Sequence, residues 1–227
     1  MHVLVLAASP RVDGNSRALA DALIAGAQEA GHTTDLADLN DAMTGGFVRD
    51  CRRCRRPDGT CSIRDGYEAL LRDRVAPAHA LVYATPLYWY GPAAVLKNFF
   101  DRMVCYVSGS YPGYETMVQG LTNKRTALLL SSEESYRGAS LGVVAQLQEM
   151  SRYLHHEFVA VVNGIGNKRG EVALDPSNPL HAARELGRRL FDVRYSDYRI
   201  DTERPNMVWT TDEAAGDQVA VGVYEDV

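Results

Sequence analysis

Residues 3–16 read VLVLAASPRVDGNS. The first six of these residues are apolar, a run that is too short for a helix and suits a β-strand buried on both faces. After residue 16, apolar side chains recur at intervals of three and four as far as Gly31, which predicts a helix directly after the strand. The polar residues 9–16 therefore form a loop that leads from a buried strand into a helix.

The same alternation of strand and helix continues along the chain. Strands are predicted at residues 3–8, 33–39, 80–84, 126–130 and 158–162, and helices at residues 19–31, 67–75, 96–107, 141–154 and 178–193. This order predicts an α/β fold with a doubly wound, five-stranded parallel sheet, in which a ligand binds at the carboxyl ends of the strands. The loops that follow the strands are residues 9–16, 40–64, 85–92, 131–139 and 163–170.

Helical periodicity fades after Val193. The sequence therefore predicts one domain over residues 1–194 and an extended C-terminal tail over residues 195–227. The tail carries several aromatic residues, which a disordered segment usually lacks. We expect the part around Met207–Trp209 to pack against a partner subunit, or else against its own subunit.

Charge and the N-terminus exclude several classes of protein. The net charge is −5, and the tail alone carries −6, so the body is nearly neutral. A neutral body gives no case for nucleic-acid binding, and it lacks the acidic face of a carrier that docks onto basic partners. The first residues have no basic region, and their apolar run is too short for a signal peptide or membrane span. We expect a cytoplasmic protein with no membrane contact.

The loop at residues 9–16 has the composition of an anion site. Ser9 and Ser16 supply hydroxyls, Asn15 an amide and Arg11 a guanidinium, and Gly14 adds flexibility. A helix N-terminus also favours a phosphate through its free N–H groups and its dipole. The alternative is an ordinary helix cap by Asn15 or Ser16. A cap needs only one such residue, so the four together favour the anion site.

Three motifs resemble a known family. The first loop matches the Ser-x-Arg-x-x-x-Asn-Ser signature of the NAD(P)H-dependent FMN reductases, within the flavodoxin-like superfamily. Residues 85–92, TPLYWYGP, are similar to the Pro-x-Tyr-aromatic loop of that family, and residues 96–102 are similar to its Lys-x-x-x-Asp-Arg stretch. The motifs and the strand order together cover about residues 1–190.

The resemblance implies a flavodoxin-like fold with bound FMN and with NAD(P)H as co-substrate. Hydride would pass through FMN to a small acceptor such as a quinone, a nitro or azo compound, or free flavin, without any catalytic side chain. Relatives are often oligomeric, so a homodimer or homotetramer is expected. The implied cofactor-binding residues are Ser9, Arg11, Asn15 and Ser16 at the phosphate, Pro86, Leu87, Tyr88, Trp89, Tyr90 and Gly91 at the flavin ring, and Ser132, Glu133 and Tyr136 in a third loop.

The aromatic loop supports this interpretation, because flat side chains with polar groups suit an isoalloxazine ring. The same aromatic residues could instead cover the sheet or a subunit interface. Two other functions remain open. One is a one-electron carrier like flavodoxin, and the other is an electron relay with an iron–sulfur centre.

The cysteine loop bears on the last of these functions. Cys51, Cys54 and Cys61 resemble the cluster loop of the iron–sulfur flavoproteins, but Pro57 stands where a third of four ligands belongs. A cluster normally takes four thiolates, and Cys105 is distant in sequence. We therefore predict no metal. A redox-active pair, Cys51 and Cys54, is an alternative. The surrounding arginines are expected to lower the thiol pKa values; they are Arg52, Arg53, Arg55 and Arg56.

Overall fold

The computed structural model of the chain describes residues 1–193, apart from the side chain of Arg137. The predicted tail, with its expected contact at Met207–Trp209, lies outside these residues. Within them the strands are β1 (His2–Ala7), β2 (Thr33–Asp38), β3 (Ala80–Tyr88), β4 (Gly91–Pro92), β5 (Arg125–Ser132) and β6 (Glu157–Ile165). The α-helices are α1 (Asn15–Glu29), α2 (Leu39–Ala42), α3 (Cys51–Cys54), α4 (Tyr67–Ala69), α5 (Ala94–Arg102), α6 (Tyr114–Leu121), α7 (Leu141–Tyr153) and α8 (Pro179–Arg189).

Five of these strands form the predicted parallel sheet, in the order β2-β1-β3-β5-β6. This is the flavodoxin-like order, which reverses between β1 and β3. The short strand β4 pairs with β3 in the antiparallel sense. It was not predicted, because Gly91-Pro92 is typical of a loop. The doubly wound α/β fold is confirmed, and the reversal brings the loops after β1 and β3 to the same edge.

Both faces of the sheet are covered, which explains why β1 is apolar throughout. On one face Val3 and Val5 pack with α1 and α8. On the other face Leu4 and Leu6 pack with α5 and α7. Helices α1 and α8 approach closely because Gly26 lacks a side chain: a Cβ there would lie 1.9 Å from the carbonyl oxygen of Arg184. The first loop therefore rests on a rigid, fully packed strand and helix.

Other elements also differ from the sequence prediction. Strand β3 continues to Tyr88, because the pairing with β4 extends it past the expected end at Thr85-Pro86. Helix α6 was missed; it has only eight residues and buries only Met117 and Leu121. The predicted helix at 67–75 is a short α-turn followed by a π-helical segment, Leu70–Val75. None of the helices within residues 1–193 has the length and apolarity that a membrane span requires.

Candidate functional site

The loop after β1 surrounds a small concavity at the carboxyl ends of β1 and β3. Ser9 and Ser16 are buried here, and Arg11 is exposed. The Ser9 hydroxyl accepts a hydrogen bond from the backbone N–H of Arg11 at 3.1 Å. The first turn of α1 contains no acidic residue, so nothing there opposes the positive end of the helix dipole. The concavity is lined by Ala7, Ser9, Arg11, Val12, Ser16, Arg17, Asp38 and Ala84.

Ser16 joins this loop to the next part of the site. Its hydroxyl lies 2.7 Å from the hydroxyl of Ser131, near the end of β5, and both side chains are buried. The start of α1 is therefore held against the end of β5, which lies two strands from β1 in the sheet. Sequence reasoning placed Ser16 in the site but missed Ser131. The available signal was its position as the first residue of the predicted loop 131–139, directly after an apolar strand.

The side chain of Asn15 connects the start of α1 to the loop after β6. Its side-chain amide donates hydrogen bonds to the carbonyl oxygens of Gly166 and Lys168, at 2.9 and 3.0 Å. Its Oδ1 atom accepts a longer bond from the N–H of Val172. The side chain thus braces the loop after β6 against the start of α1. A direct hydrogen bond from this amide to a bound anion would compete with these contacts.

The aromatic loop after β3 is a tight hairpin. Trp89 and Tyr90 have positive φ angles of 49° and 62°, and they form a two-residue turn between the paired residues Tyr88 and Gly91. A left-handed conformation costs about 1–2 kcal/mol for an ordinary residue. Trp89 is 97% exposed, so its own burial does not offset that cost. Backbone strain of this kind concentrates at functional sites.

The base of this hairpin is firmly held. Thr85 is fully buried, and its hydroxyl accepts a hydrogen bond from the N–H of Ala93 at 3.0 Å and donates one to the carbonyl oxygen of Pro86. Pro86 is buried, Leu87 is half-buried, and Tyr88 is exposed. These three residues end β3 instead of lying in a loop as the sequence predicted. The strained turn is therefore carried on a rigid strand.

The third loop touches the hairpin through Glu134. Tyr90 donates a hydrogen bond to Glu134 Oε1 at 3.4 Å, and the Ser132 hydroxyl donates to the Glu134 carbonyl oxygen at 2.9 Å. A hydrogen bond to Tyr136 and the nearby charge of Glu134 raise the pKa of Tyr90. Glu133 and Tyr136 are exposed. Sequence reasoning named Glu133 but not its neighbour Glu134, because residue type alone does not show which of two adjacent glutamates faces the hairpin. Arg17, which lines the concavity, was also missed.

The cysteine loop departs from two expectations. Cys105 is distant in sequence, yet it is buried in the same hydrophobic core cluster as Cys61. Burial and the thiol of Cys54 raise the pKa of Cys51, although Arg55 alone lowers it, so the expected activation by four arginines is wrong there. All four cysteines are free thiols. Within residues 1–193, no three or more His, Cys, Asp or Glu side chains are grouped so as to hold a metal ion.

Curated relatives include redox flavoproteins. The chain is 26% identical to YwqN of Bacillus subtilis, named as an NAD(P)H-dependent FMN-containing oxidoreductase, over 83% of this chain and 98% of that protein. It is 24% identical to an iron–sulfur flavoprotein of Archaeoglobus fulgidus, over 88% of this chain and 84% of that protein.

Solved structures share the fold. An FMN-dependent NADH-azoreductase of Bacillus anthracis, solved in complex with FMN, superimposes with a TM-score of 0.61 at 17% identity. The match covers 84% of this chain and 99% of that one. The family model described as NADPH-dependent FMN reductase matches residues 1–167. The resemblance noted in the sequence is thereby confirmed, and the chain belongs to the NADPH-dependent FMN reductases, flavodoxin-like oxidoreductases that use FMN and NAD(P)H.

Proposed function

We propose that this enzyme passes hydride from NAD(P)H through FMN to a small, flat electron acceptor, such as a quinone, a nitro or azo compound, or free flavin. The observation that carries the proposal is the strained, exposed aromatic hairpin, which follows β3 at the same edge of the sheet as the concavity of the first loop. FMN supplies the two-electron hydride chemistry when it is bound.

The residues of the candidate site fit both ends of FMN, the phosphate and the flavin ring. At one end, the hydroxyls of Ser9 and Ser16 and the guanidinium groups of Arg11 and Arg17 would hold the phosphate, together with the N-terminus of α1. Asn15 acts there as a brace, through its bonds to the loop after β6. Burial of the two serines keeps bulk water from competing for the phosphate.

At the other end, the hairpin and the third loop would border the flavin ring. Pro86 and Leu87 would support the ring from β3, and Tyr88, Trp89, Tyr90 and Gly91 would form its aromatic border. Ser132, Glu133 and Tyr136 would approach it from the loop after β5. Tyr88, Trp89, Tyr90 and Tyr136 are all substantially exposed. This exposure supports a single open face on which NAD(P)H and the acceptor bind in turn.

The protein's part in this reaction is to bind, orient and shield. Hydride transfer to and from a bound flavin needs no side-chain acid or base, and we assign no catalytic residue. A homodimer or homotetramer stays a prediction from the resemblance, and so does a cytoplasmic location. Light scattering of the purified chain measures the oligomeric mass directly.

Anaerobic mixing of the FMN-loaded protein with NADH or NADPH tests the function. We expect at least one of the two nucleotides to reduce the bound flavin fully. We then expect one of the acceptors named above to reoxidise the flavin, with one acceptor consumed per two electrons. The one-electron carrier makes the opposite prediction. Its flavin would resist both nucleotides, and it would be reduced only by a one-electron donor such as dithionite.

A further inference from the structure

The cysteine loop packs against the segment that follows α5. Arg55 donates a hydrogen bond from Nη1 to the Ser108 hydroxyl at 2.8 Å and a long one from Nη2 to the Val104 carbonyl oxygen. Gly59 lies so close to this segment that a Cβ would meet the Ser110 carbonyl oxygen at 1.9 Å. Since these contacts lie on both sides of Cys105, they bring that residue under the loop.

The four thiols are arranged as two pairs. Cys51 and Cys54 are the first and last residues of the single turn of α3, so their side chains share one face of it. Cys61 and Cys105 are both buried in one hydrophobic core cluster. We call these the outer pair and the inner pair. Cys51 packs against the cluster that contains Cys61 and Cys105, so the two pairs are neighbours.

This arrangement does not fit a metal centre of the kind that the name of the Archaeoglobus relative states. An iron–sulfur cluster normally takes four thiolates, and a structural zinc site takes four ligands such as cysteine and histidine, all converging on one point. Among the described residues the cysteines do not form even a group of three that could hold an ion. Pairs of thiols suit a different two-electron chemistry, the formation of a disulfide.

The two pairs differ in their access to solvent. Cys61 and Cys105 are 6% and 1% exposed, whereas Cys51 and Cys54 are half-buried. Burial raises the pKa of Cys105 to about 12, and thiols buried in apolar surroundings are inert. Burial raises the pKa of Cys51, and the neighbouring Arg55 guanidinium works against that rise. Only the outer pair therefore offers a thiol that an oxidant in solution can reach.

We propose that Cys51 and Cys54 are a redox-active dithiol that forms an intramolecular disulfide by exchange with a low-molecular-weight disulfide, while Cys61 and Cys105 stay reduced beneath them. This site is independent of the flavin reaction. One outer thiol, as its thiolate, attacks a sulfur of the oxidant, forms a mixed disulfide and displaces one thiolate. The other outer thiol loses its proton and attacks the mixed disulfide at the protein sulfur, which releases the second thiolate.

The exchange balances. Two protein thiols lose two electrons and become one disulfide, and the oxidant gains those electrons and becomes two thiols, which take up the two protons released by the protein. Side chains three residues apart on a helix have Cβ atoms about 5–6 Å apart, whereas a disulfide brings them to about 3.5–4.5 Å. Closure therefore tightens the turn of α3. The tightening also displaces Arg55, which follows Cys54 directly.

The test uses the full-length, FMN-loaded protein in glutathione buffers of increasing oxidised fraction. Remaining thiols are alkylated at each step, and linked peptides are identified by mass spectrometry without reduction. We expect a Cys51–Cys54 link and two alkylated thiols, Cys61 and Cys105. Cys54→Ser should instead trap a mixed disulfide with glutathione on Cys51. The matched controls Cys61→Ser and Cys105→Ser should leave formation of the outer link unchanged.

Three results would overturn the proposal. The first is a link between Cys61 and Cys105, and the second is four alkylated thiols even in oxidised glutathione alone. The third is stoichiometric iron with acid-labile sulfide, or stoichiometric zinc, in protein purified without oxygen, since a metal would occupy the thiols. Cys51→Ser and Cys54→Ser can be compared with the wild type by thermal unfolding, so a misfolded variant is recognised before its thiols are counted.

Discussion

The hydroxyl of Ser16, in the first turn of α1, lies 2.7 Å from that of Ser131 near the end of β5. This contact joins the helix that follows β1 to β5, two strands further along the sheet. The Ser16 hydroxyl belongs to the proposed phosphate site, whereas its buried partner Ser131 lies outside that site. Mutating each serine alone therefore distinguishes phosphate binding from the contact between the two serines.

Ser16→Ala should weaken FMN binding by roughly 10- to 150-fold. A hydrogen bond to a charged group contributes about 1.5–3 kcal/mol. Ser131→Ala is the matched control, because it removes the same contact between the two serines but leaves the Ser16 hydroxyl for the phosphate. Fluorescence titration of the apoprotein with FMN gives both affinities. Equal losses in the two variants would show that Ser16 acts through Ser131 and does not bind the phosphate.

Asn15→Ala should lower the free energy of unfolding by about 1–3 kcal/mol, since two carbonyl groups lose their donor. Asp13→Ala is the control, because the exposed Asp13–Arg169 ion pair joins the same two loops at the surface. Exposed pairs contribute little, so this variant should change stability much less. Urea denaturation measures both. The brace assigned to Asn15 would be contradicted if the two variants lost equal stability.

Trp89→Gly should make the apoprotein more stable and the enzyme less active. Relief of about 1–2 kcal/mol of left-handed strain exceeds the added entropy cost of glycine, roughly 0.5–1 kcal/mol. The loss of an exposed aromatic ring from the proposed flavin border should lower turnover with NAD(P)H. Trp89→Phe keeps both the Cβ and the aromatic surface, so it should resemble the wild type. A less stable glycine variant would show that the Trp89 side chain stabilises the hairpin.

The buried pair Asp65–Arg102 should dominate the stability of the cysteine-loop region. Arg102 lies 2.6 Å from Asp65, both side chains are 1% exposed, and its guanidinium also stacks on Tyr67. Asp65→Asn leaves a buried charge uncompensated and should cost about 3–5 kcal/mol. Asp101→Asn, in the exposed pair with Lys97 on the same helix α5, is the control and should cost far less. Similar losses from chemical denaturation of both variants would contradict the prediction.

The Asp65 carboxylate makes the free energy of unfolding depend on pH. Burial alone would raise the pKa of Asp65, but hydrogen bonds from Arg102 and from the N–H groups of Gly45 and Tyr67 hold it below its ordinary value of 3.8. A lowered folded-state pKa adds stability that is present above 3.8 and is lost as the pH falls through the folded-state pKa. Wild-type stability should therefore fall in this acidic range. Denaturation curves should show a shallower fall for Asp65→Asn.

The sequence predicted the fold because the signals for it are local. The apolar run at residues 3–8 and the polar loop after it identify β1, its loop and α1 without any distant contact. The hairpin strand β4 could not be predicted from Gly91-Pro92, because its pairing depends on how Trp89 and Tyr90 turn. The neighbours of Cys105 were equally hidden, since packing of the cysteine loop on the segment after α5 joins residues far apart in sequence.

The contacts of the candidate site residues show the same distinction. The positions of Ser9 and Ser16 could be predicted, because a strand-to-helix loop fixes where they lie. The hydrogen bonds of Asn15 could not be predicted, since its partners are carbonyl groups more than a hundred positions further along the chain. Ser131 and Glu134 were missed for a similar reason. Their roles come from partners in other loops, namely Ser16 and Tyr90.

The central claim is that the first loop holds the phosphate of FMN, and calorimetric titration of the apoprotein with FMN and with riboflavin tests it most directly. The two ligands share the ring and the ribityl chain and differ only in the phosphate. Because at least two charge-assisted hydrogen bonds would be lost, we expect riboflavin to bind roughly 100-fold more weakly or worse. The difference in affinity between FMN and riboflavin should be smaller in the variant Ser16→Ala. Equal affinities for FMN and riboflavin in the wild type would show that the first loop does not hold the phosphate.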